Sequence, residues 1–163
     1  MADWILAQAL EIAQASQANL RLLHVLSGDD PDSPHMPIHT AFDHYPLVLE
    51  QTVWDTYNTQ WQSYAQNSRV LLQQLCGVAA ERGVAAEWIQ VSGLPEQAIC
   101  EQASTWDADV VVLGSRGHTG LRELFLGSVS NYVTHHAPCS VWVVRSAAHQ
   151  NAHDSASATQ TTA

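Results

Sequence analysis

Four short apolar runs alternate with helical patterns along the chain, and this alternation constrains the fold more than any other feature. The runs cover Leu20–Leu26, Val84–Val91, Val110–Leu113 and Ser140–Val144. Runs of this length and apolarity are typical of parallel strands that are covered on both faces. Because a helical segment precedes each run, the sequence predicts an α/β fold, an open parallel sheet with helices on both faces.

The helical segments have recognisable patterns and boundaries. Apolar residues recur at helical spacing in the first two segments, Gly83 occupies a position typical of a helix end, and proline occupies a first helical position at Pro95. The fourth segment stops before Pro138. Helices are therefore predicted at Asp3–Ser16, about Val53–Arg82, Pro95–Trp106 and Ser128–His136.

The rest of the chain predicts one domain with a surface excursion and a tail. We assign residues 1–145 to the domain, within which residues 27–52 are rich in turn formers and form a long excursion. His35, His39 and His44 lie in it, but their spacing matches no known metal-ligand pattern, so no metal site is predicted. Residues 146–163 contain no large apolar residue and are predicted to be disordered.

Charge and hydropathy exclude two classes of partner. The chain has no Lys, its six Arg are scattered, and sixteen acidic residues give a formal charge of −10. Nucleic acid and anionic membrane surfaces both select clustered basic residues, so neither is a predicted partner. No signal peptide or membrane-spanning run is visible, and the three cysteines form no CxxC pair. These features predict a cytoplasmic protein with buried free thiols.

The segment from Gly114 to Ser130 contains the residue types best suited to binding an anion. It follows the apolar run that ends at Leu113, and it contains four glycines, two arginines and a predicted helix start. Glycines allow close approach of the backbone to an anion, and successive N–H groups at a helix N-terminus favour negative charge. Ser128 and Ser130 add hydroxyl groups as possible donors. The segment therefore predicts a phosphate site at the carboxyl end of a parallel strand.

The spacing and context of these residues resemble the universal stress protein family, in its ATP-binding subgroup. Gly114-x-x-Gly117, nine residues and then Gly127-Ser128 is similar to the family's G-x-x-G-x9-G-S/T signature. The Leu22–Val25 strand and the closing Ala137–Val144 segment also resemble the family's second and last strands. The resemblance covers roughly residues 2–145 apart from the excursion, and it implies an adenine nucleotide alpha hydrolase-like fold with strand order 3-2-1-4-5.

The resemblance also implies a role for each matched position. The phosphates and ribose of ATP, accompanied by Mg²⁺, would be held by Gly114, Gly117, Gly127 and Ser128. Val129 and Ser130 would line the same pocket. The backbone of Val25 would meet the adenine ring, and Leu113 would border the sugar and base. The alternative from the residues alone is a tight strand-to-helix turn that binds no nucleotide.

The implied function is an ATP-binding regulatory domain of the stress response. No catalytic residue is assigned, because Glu123 is the only carboxylate within the Gly114–Ser130 segment, and at most slow hydrolysis is predicted. Two alternatives stay open, a nucleotide-free protein-interaction module of the same fold and a hydrolase or adenylate-transferring enzyme. The last strand, Ser140–Val144, is a predicted edge strand, and the resemblance implies a two-fold homodimer through it.

The sequence departs from the family pattern at its start. Family members begin with a strand whose Asp contacts adenine, whereas Asp3 here resembles the start of the first helix. In the implied strand order that first strand is central, between the strands that end at Val25 and Leu113. Three arrangements are possible: the sequence is shortened at its N-terminus, the two flanking strands pair directly, or another chain supplies a strand.

Overall fold

The computed structural model describes residues 3–36, 51–115 and 126–145. These residues form four helices and four strands in alternation, as the sequence predicts. The helices are α1 (Asp3–Ser16), α2 (Gln51–Glu81), α3 (Pro95–Thr105) and α4 (Ser128–His136). The strands are β1 (Leu20–Leu26), β2 (Ala86–Ser92), β3 (Val110–Gly114) and β4 (Ser140–Val144).

Several predicted boundaries are corrected by the structure: the ends of α2, β2, α3 and β3 each differ by one residue, and the starts of α2 and β2 differ by two. Helix α2 includes Gln51 and Thr52, which the sequence assigned to the excursion. Strand β2 begins at Ala86 rather than at Val84, because the Val84 N–H is bonded to the Ala79 carbonyl at 3.0 Å and so belongs to the end of α2. The predicted tail, residues 146–163, lies outside the described residues.

Helices α1, α2 and α3 all pass into the next strand through the same turn. A residue just beyond each helix adopts positive φ: Gln17 (54°) directly follows α1, and Gly83 (74°) and Asp107 (54°) are the second residues after α2 and α3. The N–H of the following residue then bonds to a carbonyl five residues back, and the strand begins two residues further on. Only Gly83 is foreseeable from sequence, because Gln and Asp adopt this conformation at a cost of roughly 1 kcal/mol.

The strands form two parallel pairs. β1 pairs with β2 in the register Leu20↔Ala86, and β3 pairs with β4 in the register Val110↔Ser140. Direct pairing of the strands through Val25 and Leu113, one of the three predicted arrangements, is therefore wrong. Helix α1 packs against both β1 and β3. A helix is about 10 Å wide and neighbouring strands are about 4.8 Å apart, so one helix can contact two strands that are separated by the width of a third.

The main core lies where α1 and α2 cover one face of the β1–β2 pair. Leu6, Leu10 and Ala13 of α1 are buried together with Ala79 and Val84 at the end of α2. The α1 residues are spaced at i, i+4 and i+7, so they share one helical face. Burial of this stripe is what the apolar periodicity of the first helix predicts.

The opposite face of β1 and β2 meets the end of α3. Arg21 and Glu87 form an ion pair across the two strands, with Arg21 Nε donating to Glu87 Oε1 at 2.8 Å. The Arg21 guanidinium lies 4.6 Å from the ring centre of Trp106, the residue that caps the C-terminus of α3. Because side chains alternate between faces along a strand, the helices occupy both sides of the sheet, as predicted.

Candidate functional site

The end of β3 and the start of α4 are joined by two hydrogen bonds, both accepted by the Ser115 carbonyl. The Gly127 N–H donates to the Ser115 carbonyl at 2.9 Å, and the Ser130 hydroxyl lies 3.0 Å from both the Ser115 and the Gly127 carbonyls. We call Ser115, Gly127 and Ser130 the loop clamp. The side chains of Ser115 and Ser130 are buried, with Ser130 only 2% exposed. The clamp therefore brings together residues twelve to fifteen positions apart and closes the glycine-rich segment at its base.

Helix α4 presents N–H groups beside the loop clamp that have no acceptor in the part of the chain that the structure describes. Its N-cap is Gly127 (φ −63°, ψ 161°), which has no side chain to cap the helix, and the first intrahelical bond runs from the Asn131 N–H to the Gly127 carbonyl at 2.9 Å. The N–H groups of Ser128, Val129 and Ser130 precede that bond and have no intrahelical acceptor. Together with the helix dipole they form a site that favours an anion.

In the loop clamp the Ser130 hydroxyl is hydrogen-bonded to the main chain, so it is not available to a phosphate. The sequence suggested its hydroxyl as a phosphate donor, but the single hydroxyl proton is directed at the Ser115 and Gly127 carbonyls. Its backbone N–H is consequently the donor that remains for a ligand. The hydroxyl itself holds the start of α4 against the end of β3.

Val25 lies near the carboxyl end of β1 with its backbone groups directed away from β2. The Leu20 N–H bonds to Ala85 and the Leu26 carbonyl accepts from Gly93, so the even-numbered residues of β1 face β2. The direction of the backbone N–H and C=O groups alternates along a strand, so those of Val25 point to the edge of β1 that is away from β2. We call the edge of β1 away from β2, and the edge of β3 away from β4, the inner edges. A donor and an acceptor are thus presented side by side, as the prediction of backbone contact to adenine requires.

The same alternation separates Leu113 from Gly114. Ser115 donates to the Val144 carbonyl at 2.8 Å and Ser140 donates to the Asp109 carbonyl at 3.2 Å, so the odd-numbered residues of β3 face β4. Leu113 can therefore contact a ligand only through its side chain, whereas the backbone of Gly114 faces the inner edge. Gly117 lies outside the described residues.

His24 of β1 and Tyr64 of α2, whose rings are in contact, both have shifted pKa values. Burial raises the pKa of the Tyr64 phenol, and its hydrogen bond to Asp30 adds to the shift, so the phenol stays protonated and donates. Burial lowers the pKa of the His24 imidazole, which the Asp30 carboxylate opposes. His24 Nε2 is buried with no hydrogen-bond partner in the described part of the chain, at a typical cost of about 1–3 kcal/mol.

The structure holds few alternatives to this site. Within residues 3–36, 51–115 and 126–145, no three His, Cys, Asp or Glu side chains come together as metal ligands, and no helix is long and apolar enough to cross a bilayer. His39 and His44 lie outside those ranges. The three cysteines are free, as predicted, but only half-buried, and burial raises the pKa of each thiol.

Sequence reasoning missed the residues that hold the site in place. Ser115 was an unspecified position within the glycine motif. It contributes a backbone carbonyl, which every residue type has, so the sequence could not indicate its role. Asp30 falls in the excursion rich in turn formers and Tyr64 in the predicted second helix, yet the two side chains are hydrogen-bonded at 2.7 Å. No local signal links residues 34 positions apart.

Known proteins match this chain along most of its length. The Universal stress protein family model matches residues 2–145. Universal stress protein Sll1388 of Synechocystis is 36% identical over 145 residues, covering 89% of this chain and 90% of its own. Universal stress protein YxiE of Bacillus subtilis is 45% identical over 137 residues, covering 84% and 86%.

Solved structures share the fold. Hypothetical protein MJ0577, the subject of a structure-based assignment of biochemical function, superposes with a TM-score of 0.67 at 21% identity, covering 89% of this chain and 88% of its own. A universal stress protein in complex with cAMP superposes at 0.55 (21% identity, 86% and 84% covered). An Arabidopsis thaliana family protein with AMP bound does so at 0.54 (24% identity, 89% and 78% covered). With the family model matched from residue 2 to residue 145, this chain belongs to the universal stress protein family.

Proposed function

We propose that this chain is an ATP-binding regulatory domain of the stress response, which holds the nucleotide phosphates at the start of α4. The observation that carries the proposal is the set of free N–H groups at Ser128, Val129 and Ser130, held at the end of β3 by the loop clamp. A rigid set of donors does not have to be ordered when the ligand binds, so less affinity is lost. Mg²⁺ would accompany the triphosphate, since it commonly binds through substrate phosphates.

The positions of the two predicted contact regions support an adenine nucleotide. Ligands of open α/β sheets bind beyond the carboxyl ends of the strands, where the strand order reverses. Phosphates at the start of α4 would leave the ribose and base to extend toward the end of β1. There the N–H and C=O of Val25 are complementary to adenine, whose base-pairing edge offers an acceptor and an amino donor.

Relatives of the same fold also support a nucleotide ligand. The two structural neighbours described as complexes contain AMP and cAMP, both of which carry adenine and phosphate. Their sequence identity to this chain is 21% and 24%, so they bear on the fold, and the ligand of this chain is our proposal. We infer binding rather than rapid turnover, because phosphoryl transfer also needs a positioned nucleophile, and none is assigned among the residues that the structure describes.

Isothermal titration of the full chain with ATP tests the proposal. We expect saturable heat at submillimolar to millimolar ATP with Mg²⁺ present, and weaker binding when EDTA removes the metal. Absence of heat at millimolar ATP would contradict nucleotide binding and favour the nucleotide-free interaction module.

We further propose that the chain forms a homodimer through β4. The Ser140 N–H bonds to Asp109 and the Val144 carbonyl accepts from Ser115, so the even-numbered residues of β4 face β3. The N–H and C=O groups of Val141 and Val143 are then directed to the free edge. Trp142, at the centre of the strand, is 47% exposed. An edge strand of this kind is a template for pairing with a second copy.

Val143→Pro is the corresponding test of the dimer. Proline removes one outward N–H from each protomer without touching the β3–β4 hydrogen bonds, and edge strands tolerate it. Two lost hydrogen bonds per dimer, at about 1 kcal/mol each, weaken dimerisation about thirtyfold in analytical ultracentrifugation. Val143→Thr retains the N–H and serves as the matched control. A wild-type chain that sediments as a monomer at micromolar concentration would contradict the dimer.

A further inference from the structure

The loop that follows β1 is organised around Asp30. We call residues 27–33 the β1 exit loop. The Asp30 N–H donates to the Ser27 carbonyl at 3.3 Å, its carbonyl accepts from the Ser33 N–H at 2.9 Å, and its Oδ1 accepts from the Asp32 N–H at 2.9 Å. These bonds use both the main chain and one side-chain oxygen of Asp30, so this residue defines the conformation of the loop.

Helix α2 contacts the β1 exit loop through the other carboxylate oxygen. The Tyr64 hydroxyl donates to Asp30 Oδ2 at 2.7 Å. The Tyr64 ring lies edge-on to His24 at 5.9 Å and next to Trp61 at 5.5 Å between centroids, so its position is set by neighbours on both sides. A protonated phenol that donates to a carboxylate makes a short, charge-assisted bond. Through this bond α2 holds the loop in place.

The exit loop adjoins the part of β1 that faces the proposed base. Val25 follows His24 directly, and the loop begins two residues after Val25. On its β2 side the strand end is fixed by the bond from the Gly93 N–H to the Leu26 carbonyl at 3.1 Å. The Tyr64–Asp30 bond fixes the chain just beyond it. Displacement of the loop would therefore alter the direction of the Val25 backbone groups, while the loop clamp on β3 and α4 would be unaffected.

From these contacts we infer that Tyr64 and Asp30 are positioning residues for the nucleotide base. Their hydrogen bond holds the β1 exit loop so that the backbone of Val25 meets the edge of an adenine ring. The inference rests on the proposed function and adds that two separate parts of the site bind two separate parts of the nucleotide. The start of α4 binds the phosphates, and the end of β1, held by α2, selects the base.

The test compares a ligand that has a base with one that has only phosphates. ATP and inorganic tripolyphosphate are titrated by calorimetry into the wild-type chain and into Tyr64→Phe, which keeps the ring and removes the hydroxyl. We expect ATP to bind about tenfold more weakly to the variant, and tripolyphosphate to change by less than about twofold. A merely structural role would weaken both ligands together.

Two further sets of variants provide the controls. Tyr57→Phe removes a hydroxyl from the same aromatic row of α2, where the Tyr57 ring stacks on Trp61, and should leave both affinities unchanged. Asp30→Asn keeps one acceptor oxygen and can donate to Tyr64, so it should restore most of the ATP affinity that Asp30→Ala loses.

The failures of the two proposals are distinguishable. A wild-type chain that binds neither ligand removes the proposed function and this inference with it. A wild-type chain that binds ATP, combined with an unchanged ratio of ATP to tripolyphosphate affinity in Tyr64→Phe, overturns the inference alone. Equal weakening of both ligands by Tyr64→Phe also overturns it.

Discussion

Replacing Ser128 with proline is expected to weaken ATP binding about thirtyfold, because it removes one of the three free N–H groups at the start of α4. A hydrogen bond from a backbone N–H to a charged phosphate contributes about 2 kcal/mol, which corresponds to that factor. Isothermal titration of the wild-type chain and Ser128→Pro, each with Mg²⁺ and ATP, measures the change directly.

The substitution should leave the fold intact. Ser128 is the first residue of α4, the helical position that best accepts proline. The preceding Gly127 already has φ −63° and ψ 161°, the extended conformation that a following proline requires. We therefore expect the two unfolding temperatures, measured by circular dichroism, to differ by no more than about 2 °C.

Ser128→Ala is the matched control, since it removes the hydroxyl and keeps the N–H. We expect it to retain most of the ATP affinity. If alanine and proline weaken binding equally, the hydroxyl rather than the amide is the donor. If neither does so, the phosphates are not bound at the start of α4, and the central observation behind the proposed function is wrong.

Leu10→Ala is expected to lower the free energy of unfolding by about 3 kcal/mol. Leu10 is 1% exposed and belongs to the cluster formed by α1, the end of α2 and Val84. Truncation removes the transfer free energy of the side chain and leaves a cavity in a close-packed interior. Against a total stability of about 5–15 kcal/mol, this is a large fraction.

Urea denaturation followed by tryptophan fluorescence tests this expectation. With an m-value of about 2 kcal/mol/M, the unfolding midpoint should fall by about 1.5 M. Leu71→Ala, on the exposed side of α2 and 48% accessible, is the control and should shift the midpoint by less than about 0.5 M. A loss below about 1 kcal/mol for Leu10→Ala would show that the α1 stripe is not the principal core.

The sequence alone determined which elements form and where most of them begin and end. The bounds of α1, β1, α4 and β4 agree with prediction, because apolar spacing and the stop before Pro138 are local signals. The bounds of α2, β2, α3 and β3 differ from prediction by one or two residues. At Val84 the difference depends on how the end of α2 is hydrogen-bonded rather than on residue type. The prediction of a phosphate site at the start of α4 rests on signals of the same local kind, glycines and the N–H groups of a helix N-terminus.

Only the tertiary structure decided how these elements meet. The pairing of β1 with β2, and not with β3, sets the direction of the Val25 backbone, and the clamp assigns the Ser130 hydroxyl to the main chain. The bond between Tyr64 and Asp30 likewise joins residues that no local pattern connects. Hydrogen bonds of this kind arise when the packing of whole helices and strands brings distant groups together, so their partners cannot be read from the neighbouring residues along the chain.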